Sequence, residues 1–332
     1  MTGHALREAR RRLAPRPAKD LVAEHLEACH GIRVTRLAQL DLGVYRVDRS
    51  EGPPWVARVF PAVRPHDATA GDAEILDLLA EHGFMAERPA APDPLSTMDD
   101  RAVLVTEHVP AVPPGERREA IRASGGLRRF GEMLGELQAI TADGALARPG
   151  GGWHHLVDGG PRDEITAAQV LLDDCADMVQ ASDQEAYDTL QRELAGLDGG
   201  DGLPEAAVHP DFVLANVIAS PERGMVIVDW AGAGTGPRTW PLAFLLWAEA
   251  ARNLARVDLV AEGYRRRVRL EPEELRPDRL EAMMRARPAV LAAWSFCLGR
   301  RSAQDAAADA VEAREIAVAA SARAVAALRP AD

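Results

Sequence analysis

The stretch Val208-His-Pro-Asp-Phe-Val-Leu-Ala-Asn-Val-Ile218, the turn Ser220-Pro-Glu-Arg-Gly224 and the run Met225-Val-Ile-Val-Asp-Trp230 decide how this chain reads. Ala206–Val208 and Asn216–Ile218 flank a loop, and Met225–Val228 is a β-branched run entered from a Pro/Gly turn. The pattern predicts a strand, a loop and a hairpin whose second strand ends in Asp229. Taken singly, Asp211, Asn216 and Asp229 suit turns and caps, since short polar side chains bond nearby backbone, and His209 reads as a packed loop histidine. Taken together they put two carboxylates and an amide on neighbouring segments. Asn216 and Asp229 offer the hard oxygens that Mg²⁺ prefers. Asp211 supplies a further carboxylate that can orient a hydroxyl and accept its proton.

Spaced as H-x-D-x-x-x-x-N, with a metal-binding aspartate on the following hairpin, these residues match the pattern of catalytic loops that transfer a phosphoryl group. On His209-Pro-Asp-Phe-Val-Leu-Ala-Asn216 and Ile227-Val-Asp-Trp230 the chain resembles the aminoglycoside phosphotransferase / choline kinase-like family of small-molecule kinases. The likeness extends upstream to Tyr45-Arg-Val-Asp48 and Trp55-Val-Ala-Arg-Val-Phe60, similar to the second and third N-lobe strands. Ala73-Glu-Ile-Leu-Asp-Leu-Leu-Ala80 resembles the N-lobe helix, Ala102–Pro110 the hinge strand and Leu127–Ile140 the first C-lobe helix, so the resemblance runs from about Leu40 to Leu246.

The resemblance implies an α+β, bilobal, protein-kinase-like fold. A basic arm or helix over residues 1–20 would precede a small antiparallel-sheet N-lobe over 21–109 and a larger, mainly helical C-lobe over 110–332. It implies that Asp211 orients and deprotonates the acceptor hydroxyl, and that Asn216 and Asp229 hold Mg²⁺. Arg58, steadied by Glu74, would bind the non-transferred phosphates of ATP (or GTP). Backbone groups of Glu107 and Val109 would face the base, and Gly43 would lie in the turn over the phosphates. The implied acceptor is a hydroxyl of an aminoglycoside-like compound, a sugar or an amino alcohol, with antibiotic resistance as one consequence. The alternative is a catalytically weak or inactive nucleotide- or metabolite-binding relative of the same fold.

Two positions depart from the family pattern. The turn Leu40-Asp-Leu-Gly-Val-Tyr45 carries one glycine, Gly43, where relatives often have several small residues. Pro241, in Gly236-Pro-Arg-Thr-Trp-Pro241, stands where relatives commonly carry an aspartate. Proline has no side-chain acceptor, so a brace for the catalytic loop must come from elsewhere.

Composition narrows the classes. The 332 residues and 35.8 kDa leave room for two lobes, each with its own core. A net charge of −12 opposes binding to nucleic-acid phosphates. One lysine, Lys19, occurs among 39 basic side chains, so the phosphate contact on the third strand falls to Arg58, whose guanidinium can fork across two oxygens. Cys29, Cys175 and Cys297 have no metal-ligand spacing and fit a reducing compartment. Without a spanning apolar run or a secretory h-region, a cytoplasmic location without membrane partners is expected.

Helices are expected at Leu21–Cys29, around Ile75, Leu78 and Leu79, twice within 162–197, over Pro241–Asn253 and over Ala303–Leu328. Gly232-Ala-Gly-Thr-Gly236 is not a dinucleotide fingerprint and reads as a turn. His154-His155 has no third ligand at a metal spacing and reads as a loop near the substrate. Trp240, Trp247, Tyr264 and Trp294 read as packing, with an aromatic wall for a quaternary ammonium as the competing reading.

Overall fold

The structure, a computed structural model, describes residues 3–140 and 148–329. In chain order the elements are α1 (His4–Arg12), α2 (Lys19–His30), β1 (Val34–Asp41), β2 (Val44–Arg49), β3 (Trp55–Val59), α3 (His66–Glu81), β4 (Leu95–Met98), β5 (Arg101–Glu107) and α4 (Arg117–Ala123). Then follow α5 (Gly126–Ile140), α6 (Pro161–Asp173), α7 (Gln184–Ala195), β6 (Glu205–Val208), β7 (Val217–Ser220), β8 (Gly224–Ile227) and β9 (Gly234–Pro237). The chain closes with α8 (Thr239–Ala250), α9 (Arg256–Arg265), α10 (Pro277–Met284), α11 (Ala286–Cys297) and α12 (Ala303–Leu328). Two compact units result: a sheet unit of Glu8–Ala120 with Val217–Ala231, and a helical unit of Met1–Arg7, Ile121–Asn216 and Gly232–Asp332. The expected break after residue 109 thus differs from the compactness of the chain, which also groups the hairpin β7–β8 with the sheet.

In the sheet unit, five antiparallel strands run in the order β1-β2-β3-β5-β4. Alternation along β3 sends Trp55, Ala57 and Val59 into a core with Val22 and Leu26 of α2, Tyr45, Val47, Met98, Val103 and Val105. The same alternation turns Val56 and Arg58 to the opposite face. Gly43 closes the β1–β2 turn at φ +72°, where its C=O accepts from the Val59 N–H at 2.7 Å. A Cβ there would lie 2.6 Å from the Val59 carbonyl oxygen, so the turn by itself demands glycine. Beside the β7–β8 hairpin, the Ile227 N–H reaches the Met85 carbonyl at 2.9 Å and the Glu87 N–H reaches the Ile227 carbonyl at 3.0 Å. That pairing fixes Glu87 near the residues that follow β8.

In the helical unit, α5 and α9 cross through glycines. A Cβ on Gly131 would lie 2.2 Å from the Val260 carbonyl oxygen, and one on Gly263 would lie 1.9 Å from that of Arg128. Along α12, Ala303, Ala306, Ala307, Ala310, Ala313, Ala317, Ala320 and Ala324 form one buried stripe at helical spacing. Ser302 caps this helix, its hydroxyl oxygen accepting from the Asp305 N–H. Trp240 and Tyr264 are fully buried, the tyrosine donating to Gln138 Oε1 at 2.6 Å, so these two aromatics pack the interior and line no wall. Gly232–Gly236 is in part a strand: β9 pairs with β6 in the register Val208↔Gly234 to Glu205↔Pro237.

Candidate active site

The catalytic-loop residues gather in the helical unit. β6 delivers His209, which is fully buried and edge-on to Phe212, itself stacked on Phe130 of α5 at 4.7 Å between ring centres. The His209 Nδ1 accepts the Asp211 N–H at 3.0 Å, so the ring acts on the loop backbone as a packed residue. The Val213 N–H reaches the Asp211 carbonyl at 2.8 Å, and Asn216 Nδ2 donates to the same carbonyl at 2.9 Å. The Asp211 side chain is 27 % exposed, and its Oδ1 accepts from Arg287 Nη1 at 2.8 Å. Arg287 is itself buried and paired with Glu164, which has no exposed surface. Neither of these was singled out from the sequence. Each looks like an ordinary helix charge until its burial is known.

The second group lies on the face of the sheet that carries Val56 and Arg58, opposite the α2 core. Arg58 Nη1 pairs with Asp229 Oδ1 at 2.7 Å. Asp229 adopts a left-handed backbone, φ +71°, which aspartate tolerates better than bulkier residues. Its N–H is caught by Glu87 Oε1 at 2.8 Å, while Glu87 Oε2 accepts from the Thr106 hydroxyl at 2.9 Å. Burial opposes the charge on Arg58, but Asp229, Glu87 and Asp72 outweigh it and hold the guanidinium above its ordinary pKa. Burial pushes the Glu87 carboxyl up, against the pull of Arg58 and the Asp229 N–H. Val56, Arg58, Phe60, Asp72, Leu76, Glu87, Leu104, Thr106 and Trp230 enclose a cavity of about 10 Å³, room for about one water.

One sequence expectation, the Glu74–Arg58 pair, changes here. Glu74 does not steady Arg58: it lies on the exposed face of α3, and among the described residues no bond joins the two. The helix turns Asp72 inward instead, where it pairs with Arg64 at 2.6 Å, and Glu87 takes the supporting place beside Arg58. Glu87 lies within the connection between α3 and β4, where no periodic pattern marks a residue. Gly43 is accounted for by the hairpin turn. At the hinge, the Phe60 N–H to Ala102 and His108 N–H to Pro54 bonds set the alternation between β3 and β5. Glu107, opposite Trp55, therefore faces away from β3 and donates its N–H to the Arg88 carbonyl at 2.8 Å. Its N–H is thus spent, leaving its carbonyl and the backbone of buried Val109 as the groups a base could meet.

Residues 34–277 match the profile of the family described as "Phosphotransferase enzyme family". The chain belongs to that family. This phosphotransferase is therefore a small-molecule kinase with an alcohol group as acceptor. No curated protein matches its sequence at a significant level. Among solved structures, its fold is similar to choline kinase LicA from Streptococcus pneumoniae, with 13 % identity, 90 % of this chain and 98 % of that one covered, and a TM-score of 0.57. An aminoglycoside phosphotransferase from Alicyclobacillus acidocaldarius gives 16 % identity, coverage of 94 % and 97 %, and a TM-score of 0.56. Macrolide 2'-phosphotransferase MphH from Brachybacterium faecium gives 20 %, coverage of 88 % and 97 %, and 0.53. At these identities the likeness speaks for the fold of the phosphotransferase alone.

Asn216, in the helical unit, and Asp229, in the sheet unit, each carry a hard oxygen. The Asn216 amide spends its NH₂ on Asp211 and keeps its oxygen as a hard donor, and the Asp229 carboxylate is 30 % exposed. Among the described residues no group of three or more His, Cys, Asp or Glu side chains is arranged to hold a metal alone. No helix among the described residues is long and apolar enough to cross a membrane.

Proposed function

We propose that the protein transfers the γ-phosphoryl group of ATP (or GTP) to a hydroxyl of an aminoglycoside-like compound, a sugar or an amino alcohol, with Mg²⁺ required. The observation that carries this reading is the Asp211 carboxylate, presented from a loop whose backbone is bonded on both sides and with one oxygen already held in place. Asp211 would orient the acceptor hydroxyl through its other oxygen and take its proton. In a loose phosphoryl-transfer transition state, such positioning counts for more than basicity. Asn216 Oδ1 and the Asp229 carboxylate would hold Mg²⁺, which when bound neutralises charge on the phosphate oxygens. Arg58 has donors beyond the one on Asp229 and would bind the non-transferred phosphates, its charge secured by Asp229 and Glu87. The Glu107 carbonyl and Val109 backbone would meet the base, and backbone pairing of this kind serves adenine or guanine.

The test is ADP and GDP release with Mg²⁺ and a panel of kanamycin, choline, erythromycin, glucose and ethanolamine. Turnover on one compound supports the reading. Asp211→Ala should keep nucleotide affinity and lose several kcal/mol of transition-state stabilisation, as removing a preorganised charged group does. Normal turnover by that variant would remove Asp211 from the role of base.

A further inference from the structure

We propose that Arg287, locked by Glu164, is the positioning residue for Asp211 and supplies the brace that Pro241 cannot. This rests on the reading of Asp211 as the base. Arg287, at the start of α11, has a side chain only 1 % exposed, and Glu164 of α6 has none exposed. One edge of the guanidinium faces Glu164, with Nη2 as its hydrogen-bond donor and Nε in ion-pair contact only. Nε lies 2.7 Å from Glu164 Oε1, Nη2 lies 2.9 Å from Oε2, and Nη2 also donates to the Gly151 carbonyl at 3.2 Å. Glu164 is fixed in turn, since its Oε2 accepts the Trp153 N–H at 2.8 Å. The Gly151 carbonyl is tied down by Trp240 Nε1 at 3.0 Å.

A guanidinium is planar, so holding Nη2 between Glu164 Oε2 and the Gly151 carbonyl, beside the Nε ion pair, sets the direction in which Nη1 points. Nη1 points at Asp211 Oδ1, 2.8 Å away. One carboxylate oxygen is thereby pinned and the other is left for an acceptor hydroxyl. Arg287 touches neither acceptor nor nucleotide in this scheme; it acts through Asp211. A lysine could keep the charge but would offer no fork to set the angle. The buried charge also needs both carboxylates, because removing either would leave the guanidinium partly uncompensated away from water.

The experiment compares wild type, Arg287→Lys, Arg287→Ala, Glu164→Gln, the double variant Arg287→Met/Glu164→Leu and Asp211→Asn. ADP release from Mg·ATP is followed with water and with each panel compound as acceptor. The double variant removes both buried charges together, so a folded protein remains to be assayed if a single variant does not fold; circular dichroism and melting establish which are folded. Arg287→Lys and the double variant should lose about 10- to 100-fold in kcat, as misplacing a reacting group by about an ångström does. KM for ATP should stay within about twofold, since no nucleotide contact is touched. Guanidinium chloride at millimolar concentration should restore part of the kcat of Arg287→Ala, which a purely structural role would not allow. If folded Arg287→Lys and the double variant turn over like wild type while Asp211→Asn is inactive, this inference falls and the base assignment stands. If Asp211→Asn is fully active, or wild type turns over no substrate, both fall.

Discussion

Burial pushes the Glu164 carboxyl up to about 7, against the attraction of Arg287 and the Trp153 N–H, and this shift has a measurable sign. An acid that holds its proton more tightly when folded stabilises the fold below its unfolded range, and that contribution fades as pH rises through the folded value. Wild type should therefore lose up to about 3 kcal/mol relative to Glu164→Gln between roughly pH 4.5 and 7.5. Parallel melting curves for the two proteins across that window would rule the shift out. On the sheet unit, Arg58→Met should weaken ATP binding by about 10- to 100-fold, the worth of one or two charge-assisted hydrogen bonds. Calorimetry showing unchanged affinity would take Arg58 out of the phosphate site.

At the scale of elements, the α5–α9 crossing is the most exacting contact, because backbone meets backbone at Gly131 and Gly263. Gly263→Ala places a methyl within 1.9 Å of the Arg128 carbonyl oxygen, so the two helices must separate. The expected cost is about 3 kcal/mol, at the upper end of overpacking effects, read as a lower urea midpoint at unchanged m-value. A midpoint equal to wild type would mean the helices are not this close. Most elements were legible beforehand: the last helix spans the expected Ala303–Leu328, and 162–197 resolves into α6 and α7. Periodic apolar spacing is a local property and survives into the fold. What failed was facing. Glu74 and Asp72 are two residues apart on α3, and only packing against the sheet decides that Asp72 is inside and Glu74 outside.

For the molecule as a whole, Cys29 is exposed while Cys175 and Cys297 are buried, and none of the three is in a disulfide. Native protein should react rapidly with one equivalent of Ellman's reagent and with three once denatured; three fast equivalents in the native state would contradict the burial of the helical unit. The surplus of 51 acidic over 39 basic residues predicts no measurable retention on immobilised DNA at about 0.15 M salt. The chain alone determined the family-type fold and the grouping of His209, Asp211, Asn216 and Asp229, because they lie on one short run whose spacing is itself the signal. Tertiary structure alone decided what supports them. Glu87 meets Asp229 across 142 positions of chain, and Arg287 meets Asp211 across 76 and Glu164 across 123. No local spacing can announce such partners. A charged side chain becomes a brace only when folding strips it of water and leaves one carboxylate within reach.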